Sequence, residues 1–186
     1  MALISLFKET EARMKKSVEH VQQELARIRT GRATPTLLDV IKIDYYGNKT
    51  PLNQVASITT PEPRLLVVQP WEKRLIPEVE KAILESDLGL NPSNDGNVVR
   101  VPIPELSEER RQDLQKLVRK FCEDGRVAIR NIRRDANEDI KKLQKSHKIS
   151  EDQEHDALDD VQEMTNKYIE EIDNLLKHKE KEIMED

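Results

Sequence analysis

Four arginines are spaced for one kind of chemistry. Arg119, Arg126, Arg130 and Arg133 lie in a run, residues 107–148, that contains no proline and a single glycine. At about 100° of rotation per residue, all four fall within one narrow stripe of a helix. With about 1.5 Å of rise per residue, the stripe is roughly 20 Å long. A guanidinium group is planar, permanently charged, and carries a fork of donors that fits phosphate oxygens. A row of them can follow the backbone of a folded RNA. A charged helix face is, however, ordinarily a solvated face, and arginines can be neutralised within the chain. Arg130 with Glu123 and Arg134 with Glu138 are within reach on neighbouring turns. The stripe alone does not decide between these readings.

Nothing else in the chain assembles into a catalytic constellation. No glycine-rich phosphate loop is present. His20, His147, His155 and His178 are scattered without ligand spacing and read as surface residues, so neither a metal nor a cofactor is expected. Acidic pairs such as Asp159-Asp160 and Glu170-Glu171 fall on a solvated helix, where no pocket can shift a pKa for acid–base work. Cys122 is the only cysteine, which excludes an internal disulfide; it reads as a small buried hydrophobe. Trp71 and Tyr45-Tyr46 could stack on bases, but aromatic residues are 3% of the chain, and packing in a core or hinge is the simpler role for them. With no aromatic platform, recognition of shape and phosphate remains, rather than readout of single-stranded sequence. The chain is therefore expected not to be an enzyme.

The elements that must position the row follow from composition and periodicity. Hydrophobic and charged residues each make up 36% of 186 residues, a balance that suits long helices with exposed faces and narrow apolar seams. Net charge is −5 but segregated: +2 over residues 1–30, −1 over 31–104, +4 over 105–148 and −10 over 149–186. Local charge decides where a polyanion docks, so the acidic C-terminal segment should face away from RNA. No run of about 20 apolar residues could span a membrane. Met1–Thr10 lacks a basic region followed by an apolar core, so no secretory leader is expected.

Residues 3–30 read as a first helix with Phe7, Met14, Val18, Val21, Leu25 and Ile28 on a coiled-coil seam, stopped at Thr30-Gly31. All nine prolines and four of the five glycines lie in 31–104. There, Val40–Tyr46, Ala56–Thr60 and Leu65–Val68 read as strands, with turns at Gly47-Asn48 and Pro61–Pro63. A short helix spans Pro77–Ser86, with Val79, Ile83 and Leu84 inward, and Val98–Pro104 reads as an edge-like segment. A second long helix begins at Ser107, with Leu114, Phe121, Ile129, Ile132, Ala136, Ile140 and Leu143 on its packed side. A third begins at Ser150 in a capping box with Gln153, and its seam is Leu158, Val161, Thr165, Tyr168, Ile172 and Leu175. The last two helices share a short connection and should run antiparallel. The predicted class is α+β. An elongated antiparallel three-helix bundle (1–30 and 105–186) carries a small inserted β/α/β domain (31–104), with hinges near 30–32 and 102–105. Such seams could also recruit a helical protein partner, as an adaptor would.

A set of motifs in fixed order adds to this reading. They are Arg27-Ile28-Arg29-Thr30-Gly31-Arg32-Ala33, Leu37-Leu38-Asp39, Tyr45-Tyr46-Gly47, Pro51-Leu52 and Val79-Glu80-Lys81-Ala82-Ile83. Ser86–Pro92 and Arg100-Val101-Pro102 follow, then the run from Arg126 to Asn137, and Ile149–Asp152. Together they resemble the bacterial ribosome recycling factors across the whole chain. That resemblance implies two domains set at an L with the outline of a transfer RNA. It implies a non-enzymatic, cytoplasmic translation factor, monomeric and without cofactor. Such a factor binds post-termination ribosomes after peptide release and, with elongation factor G and GTP, splits them into subunits. It implies that Arg133 is the principal residue meeting large-subunit ribosomal RNA, with Arg130 one turn away and Arg29 and Arg32 as basic residues at the hinge end; the stripe adds Arg126 and Arg119 to the expected RNA-binding set. The two crossings between the domains put the expected hinge at Gly31, Arg32, Pro102 and Pro104, and the resemblance directs the small domain toward elongation factor G. The sequence departs from the expected pattern at Gly125, where relatives would carry alanine; a glycine inside a helix costs about 1 kcal/mol against alanine.

Overall fold

The computed structural model describes residues 1–185. In chain order the elements are helix α1 (Ala2–Ala26), strands β1 (Lys42–Tyr45), β2 (Asn48–Pro51), β3 (Ala56–Glu62) and β4 (Leu65–Pro70), helix α2 (Ile76–Leu84), strands β5 (Ser93–Asn94) and β6 (Val99–Pro102), and helices α3 (Glu108–Lys145) and α4 (Glu151–Met184). They form two compact units, Met1–Ile28 with Glu108–Glu185, and Arg29–Ser107.

In the helical unit the coiled-coil period sets what is buried. Helix α1 buries Met14, Val18, Val21 and Leu25, and Thr10 occupies the position between Phe7 and Met14 that the apolar pattern passes over. Helix α3 buries Leu114, Val118, Cys122, Gly125, Ile129, Ile132, Ala136 and Ile140. Phe121 and Leu143 sit at the margin of this seam, half-buried. Helix α4 buries Ala157, Val161, Thr165, Tyr168, Ile172 and Ile183. Its two polar seam residues are satisfied locally. Thr165 Oγ1 donates to the Val161 carbonyl at 2.7 Å, and the Tyr168 hydroxyl donates to Glu11 Oε1 on α1 at 2.7 Å. Ala136, Ile140, Ala157 and Val161 close one end of the bundle against Leu3, Leu6 and Phe7.

Gly125 has a packing reason. A Cβ at this position would lie 2.5 Å from Val21 Cγ2 and 3.1 Å from Ile172 Cδ1, so the glycine lets α1 and α4 approach α3 together. The helix-propensity cost is offset by close contact of the three helices, and a methyl group there would overpack the seam. Helix α1 ends at Ala26, with Arg27 as its C-cap and the Ile28 amide bonded to the Leu25 carbonyl; Gly31, with φ +79°, lies beyond the cap. The start of α4 follows the sequence signal: Ser150 accepts from the Gln153 amide, and the Gln153 side chain accepts from the Ser150 amide.

The smaller unit contains a two-stranded sheet, β1–β2, and a four-stranded antiparallel sheet in the order β3-β4-β6-β5. Leu66, Val68, Val99 and Val101 of the larger sheet join Ile43, Leu52, Val79 and Ile83 in one core. Several expectations change here. Strand β2 carries no strand-forming pattern, and its pairing Tyr45↔Asn48 puts the hairpin turn at Tyr46-Gly47. Pro61 lies within β3, at a bulge on the sheet edge that needs no ladder donor. The segment Val99–Pro102 is covered on its outer side by the short strand β5, so it is not an edge. Leu84 points outward. Trp71 and Tyr46 are 70% and 68% exposed rather than packed in a core. Tyr46 takes φ +50° at the turn and is held from outside by Arg74, 4.3 Å from its ring centre, and by the edge of Tyr45.

Two stability measurements follow. The Glu11 carboxyl is held below its ordinary value, first by the Tyr168 hydrogen bond and then by Lys15 and Lys167, with burial opposing. A lowered carboxyl pKa contributes stability above the unfolded value, and that contribution is lost as pH falls through the folded value. Tyr168→Phe should therefore cost about 1 kcal/mol in urea unfolding at pH 7, and the difference from wild type should shrink below pH 4.5. Cys122 is fully buried, and burial pushes its thiol up to about 11. Its alkylation at pH 8 should be slower in the native protein than in urea by a factor of about 100 or more, because thiolate is both scarce and shielded.

Candidate nucleic-acid interface

The four stripe arginines do share a side of α3, and the fold decides which. The buried residues of α3 define its inward direction, and the stripe lies about a quarter turn from it, on the flank that meets α4. Each arginine therefore has a neighbour to answer. Arg119 Nε donates to Glu180 Oε1 at 2.6 Å. Arg126 donates to Asp173 Oδ1 from Nε at 2.8 Å and from Nη2 at 2.5 Å, and to Glu123 Oε2 at 3.1 Å. Arg130 Nη1 donates to Glu123 Oε1 at 3.0 Å, the internal pairing that the sequence allowed. Arg133 Nη1 reaches a neutral acceptor, Gln162 Oε1, at 3.3 Å.

The row is therefore not a uniform ridge of free cations. Arg126 is the most enclosed, with 17% of its side chain exposed. Burial opposes its charge, but the hydrogen bonds it donates to Asp173 and Glu123 outweigh that and hold its pKa above the ordinary value. Glu123 is held below its ordinary value, first by Arg130 and then by Arg126. Arg119 and Arg130 are in single, more open ion pairs, with 63% and 41% of their side chains exposed. Pairs of that kind hold little free energy and can exchange a carboxylate for another anion. Arg133 meets no carboxylate among the described residues. One turn further along the stripe, Asn137 Oδ1 is buried without a hydrogen-bond partner among the described residues.

The outermost crest of α3 carries further cations that the stripe argument passed over. Lys116, Lys120, Arg134, Lys141 and Lys145 are exposed and in no ion pair among the described residues, with Val127 exposed between them. Of the two pairings within reach by spacing, Arg130–Glu123 forms and Arg134–Glu138 is absent among the described residues. At 100° per residue these positions fall on the side of α3 opposite its buried residues, so the crest is legible from spacing once lysines are included. Arg29, in the smaller unit, is exposed and is likewise in no ion pair among the described residues. Gly31, Arg32, Pro102 and Pro104 all fall inside the smaller unit. The described residues contain no group of three or more His, Cys, Asp or Glu able to hold a metal, and none of their helices is long and apolar enough to cross a membrane.

What the arrangement can do is bind phosphate along one flank of α3, with α4 supplying counter-charge beside it. Comparisons with known proteins identify the family. The model of the ribosome recycling factor family matches residues 21–184. Ribosome-recycling factors from Syntrophomonas wolfei and Pelotomaculum thermopropionicum are 56% and 57% identical over 180 residues, 97% of either chain. The factor of Bacillus licheniformis is 54% identical over 177 residues. Among solved structures, a ribosome recycling factor in solution aligns with a TM-score of 0.74 at 47% identity, covering 99% of this chain and 98% of its own. A Thermus thermophilus ribosome recycling factor, described with Escherichia coli elongation factor G on the post-termination complex, aligns over the full length of both chains at 49% identity and a TM-score of 0.64. With more than half of its residues shared with such relatives from end to end, this chain belongs to the ribosome recycling factor family.

Proposed function

We propose that this chain is a cytoplasmic translation factor that binds the post-termination ribosome and, with elongation factor G and GTP, splits it into subunits. The observation that carries the proposal is the full-length likeness to a recycling factor described with elongation factor G on a post-termination complex. The chain itself makes and breaks no bond in this scheme; nucleotide chemistry belongs to the partner. It acts as a monomer that occupies a site on the large subunit and transmits force.

Within that function, α3 supplies the contact with ribosomal RNA. Arg133 and the crest cations Lys116, Lys120 and Arg134 meet phosphates directly, while Arg119 and Arg130 exchange their carboxylates for phosphate on docking. Arg126, closed in by Asp173 and Glu123, serves the bundle more than the RNA. Arg29 adds a cation where the helical unit ends. The smaller unit is the part that elongation factor G pushes.

Two backbone hydrogen bonds support a pivot at the crossings between the units. The Ala33 amide donates to the Pro63 carbonyl at 2.7 Å, and the Ile103 amide donates to the Arg64 carbonyl at 2.8 Å. Both crossing segments are thereby tied to the turn after β3, and Pro102 pairs with Leu65 in the sheet. Rotation is left to Gly31 and Arg32 on one crossing and to residues after Ile103, including Pro104, on the other. Gly31 has φ +79°, which proline cannot adopt and an L residue adopts only with strain, and a Cβ there would sit 3.2 Å from Leu106 Cγ.

Light scattering of post-termination ribosomes should fall on addition of this chain together with elongation factor G and GTP, and should not fall with either protein alone; no fall with both would refute the function. In the same assay Gly31→Ala should slow splitting while ribosome binding is kept. Two arginine variants should separate structure from recognition. Arg126→Ala should lower stability by about 1–2 kcal/mol in urea unfolding, since it breaks a half-buried pair. Arg133→Ala should leave the urea midpoint alone and weaken ribosome binding.

A further inference from the structure

Helix α4 is strongly acidic: twelve of its 34 residues are Asp or Glu. Its positions facing the arginine stripe follow the antiparallel register in steps of seven. Glu180 answers Arg119, and seven residues earlier Asp173 answers Arg126, itself seven residues after Arg119. The next step in both helices leads to Arg133 and Asn166. Here the acidic pattern stops. Gln162 and Asn166, both amides, occupy the two α4 positions on this flank, and Gln162 takes the arginine.

The amides are also ordered. A guanidinium has no acceptor, so Gln162 must turn its oxygen to Arg133. Its Nε2 is then directed away and donates to Asn166 Oδ1 at 2.8 Å, one helical turn on. Two neutral side chains thus form a relay that fixes the direction of one cation without cancelling its charge. A carboxylate at residue 162 would hold Arg133 more tightly, as Asp173 holds Arg126, and would occupy the fork that a phosphate needs.

We propose that Gln162, braced by Asn166, is a positioning residue that keeps Arg133 oriented and un-neutralised for an RNA phosphate. This rests on the reading above that Arg133 meets ribosomal RNA. The group recognised is one backbone phosphate of a folded RNA. Gln162 does not touch it; it acts through Arg133.

The test is binding of the full chain to large ribosomal subunits across a range of NaCl concentrations. Four variants are compared with wild type: Gln162→Glu, Gln162→Ala, Arg133→Ala and the double variant Gln162→Glu/Arg133→Ala. Loss of one phosphate contact changes the slope of log affinity against log salt by about 0.9 and, at low salt, weakens binding about three- to tenfold. Arg133→Ala and Gln162→Glu should each show that change. The double variant should show it once and not twice. Gln162→Ala should weaken binding with the slope kept, because the cation is present but unheld. Residue 162 is exposed, so urea midpoints should agree among the Gln162 variants. A wild-type slope for Gln162→Glu beside a reduced slope for Arg133→Ala would overturn the positioning role alone. Identical behaviour of Gln162→Glu and Gln162→Ala would do the same. A wild-type slope for Arg133→Ala would overturn the assignment of Arg133 to RNA, and the positioning role with it.

Discussion

The register between α3 and α4 is the constraint on which the rest depends. Apolar and small residues at alternating spacings of three and four set it: Val118, Cys122, Gly125, Ile129 and Ile132 on one helix, Val161, Thr165, Tyr168 and Ile172 on the other. Once that seam is fixed, every seven residues along α3 meet a position seven residues back along α4, and the charges beside the seam have no freedom in choosing partners. The exposed ion pairs do not hold the helices together; pairs of that kind are worth about 1 kcal/mol or less. The seam holds the ion pairs. Gly125 is part of this arrangement, because a Cβ there would meet both Val21 of α1 and Ile172 of α4.

A chain with net charge −5 can therefore present a basic surface. Glu180 and Asp173 on α4, with Glu123 on α3 itself, neutralise one end and the middle of the stripe, and an amide takes their place at Arg133. The charge balance along the flank is graded. Arg126 is closed in, Arg119 and Arg130 are paired but open to exchange, and Arg133 and the crest cations are available. Under the proposed function such grading suits binding of a polyanion followed by its release, since total neutralisation would prevent docking and a bare cationic ridge would hold on.

Much of the fold was legible because long helices repeat one signal many times. The three seams, the Ser150 capping box, the inserted unit rich in proline and glycine, and the inward side of α2 at Val79 and Ile83 all follow from local spacing. What escaped was set by packing across distance. Asn48–Pro51 has no strand-forming pattern and is a strand only because β1 lies beside it. The two residues of β5 are too few to carry a period, yet they turn β6 from an edge into an inner strand. Tyr46 and Trp71 are placed by a turn and a strand end, which aromatic content does not foretell. In the stripe itself, Arg130–Glu123 lies within one helix and was foreseeable, whereas Arg119–Glu180 and Arg126–Asp173 depend on an interhelical register that no single segment encodes.

The most direct measurement places a probe on each helix. Cys122 is buried, so a single added cysteine can carry a tethered iron chelate that generates hydroxyl radicals. Attached at residue 134, on the exposed crest of α3, the probe should cleave large-subunit ribosomal RNA at a few discrete positions in the bound complex. Attached at residue 170, on the exposed acidic side of α4, it should leave those positions intact. Equal cleavage from both sites, or cleavage from residue 170 alone, would contradict the assignment of the RNA-facing surface to α3.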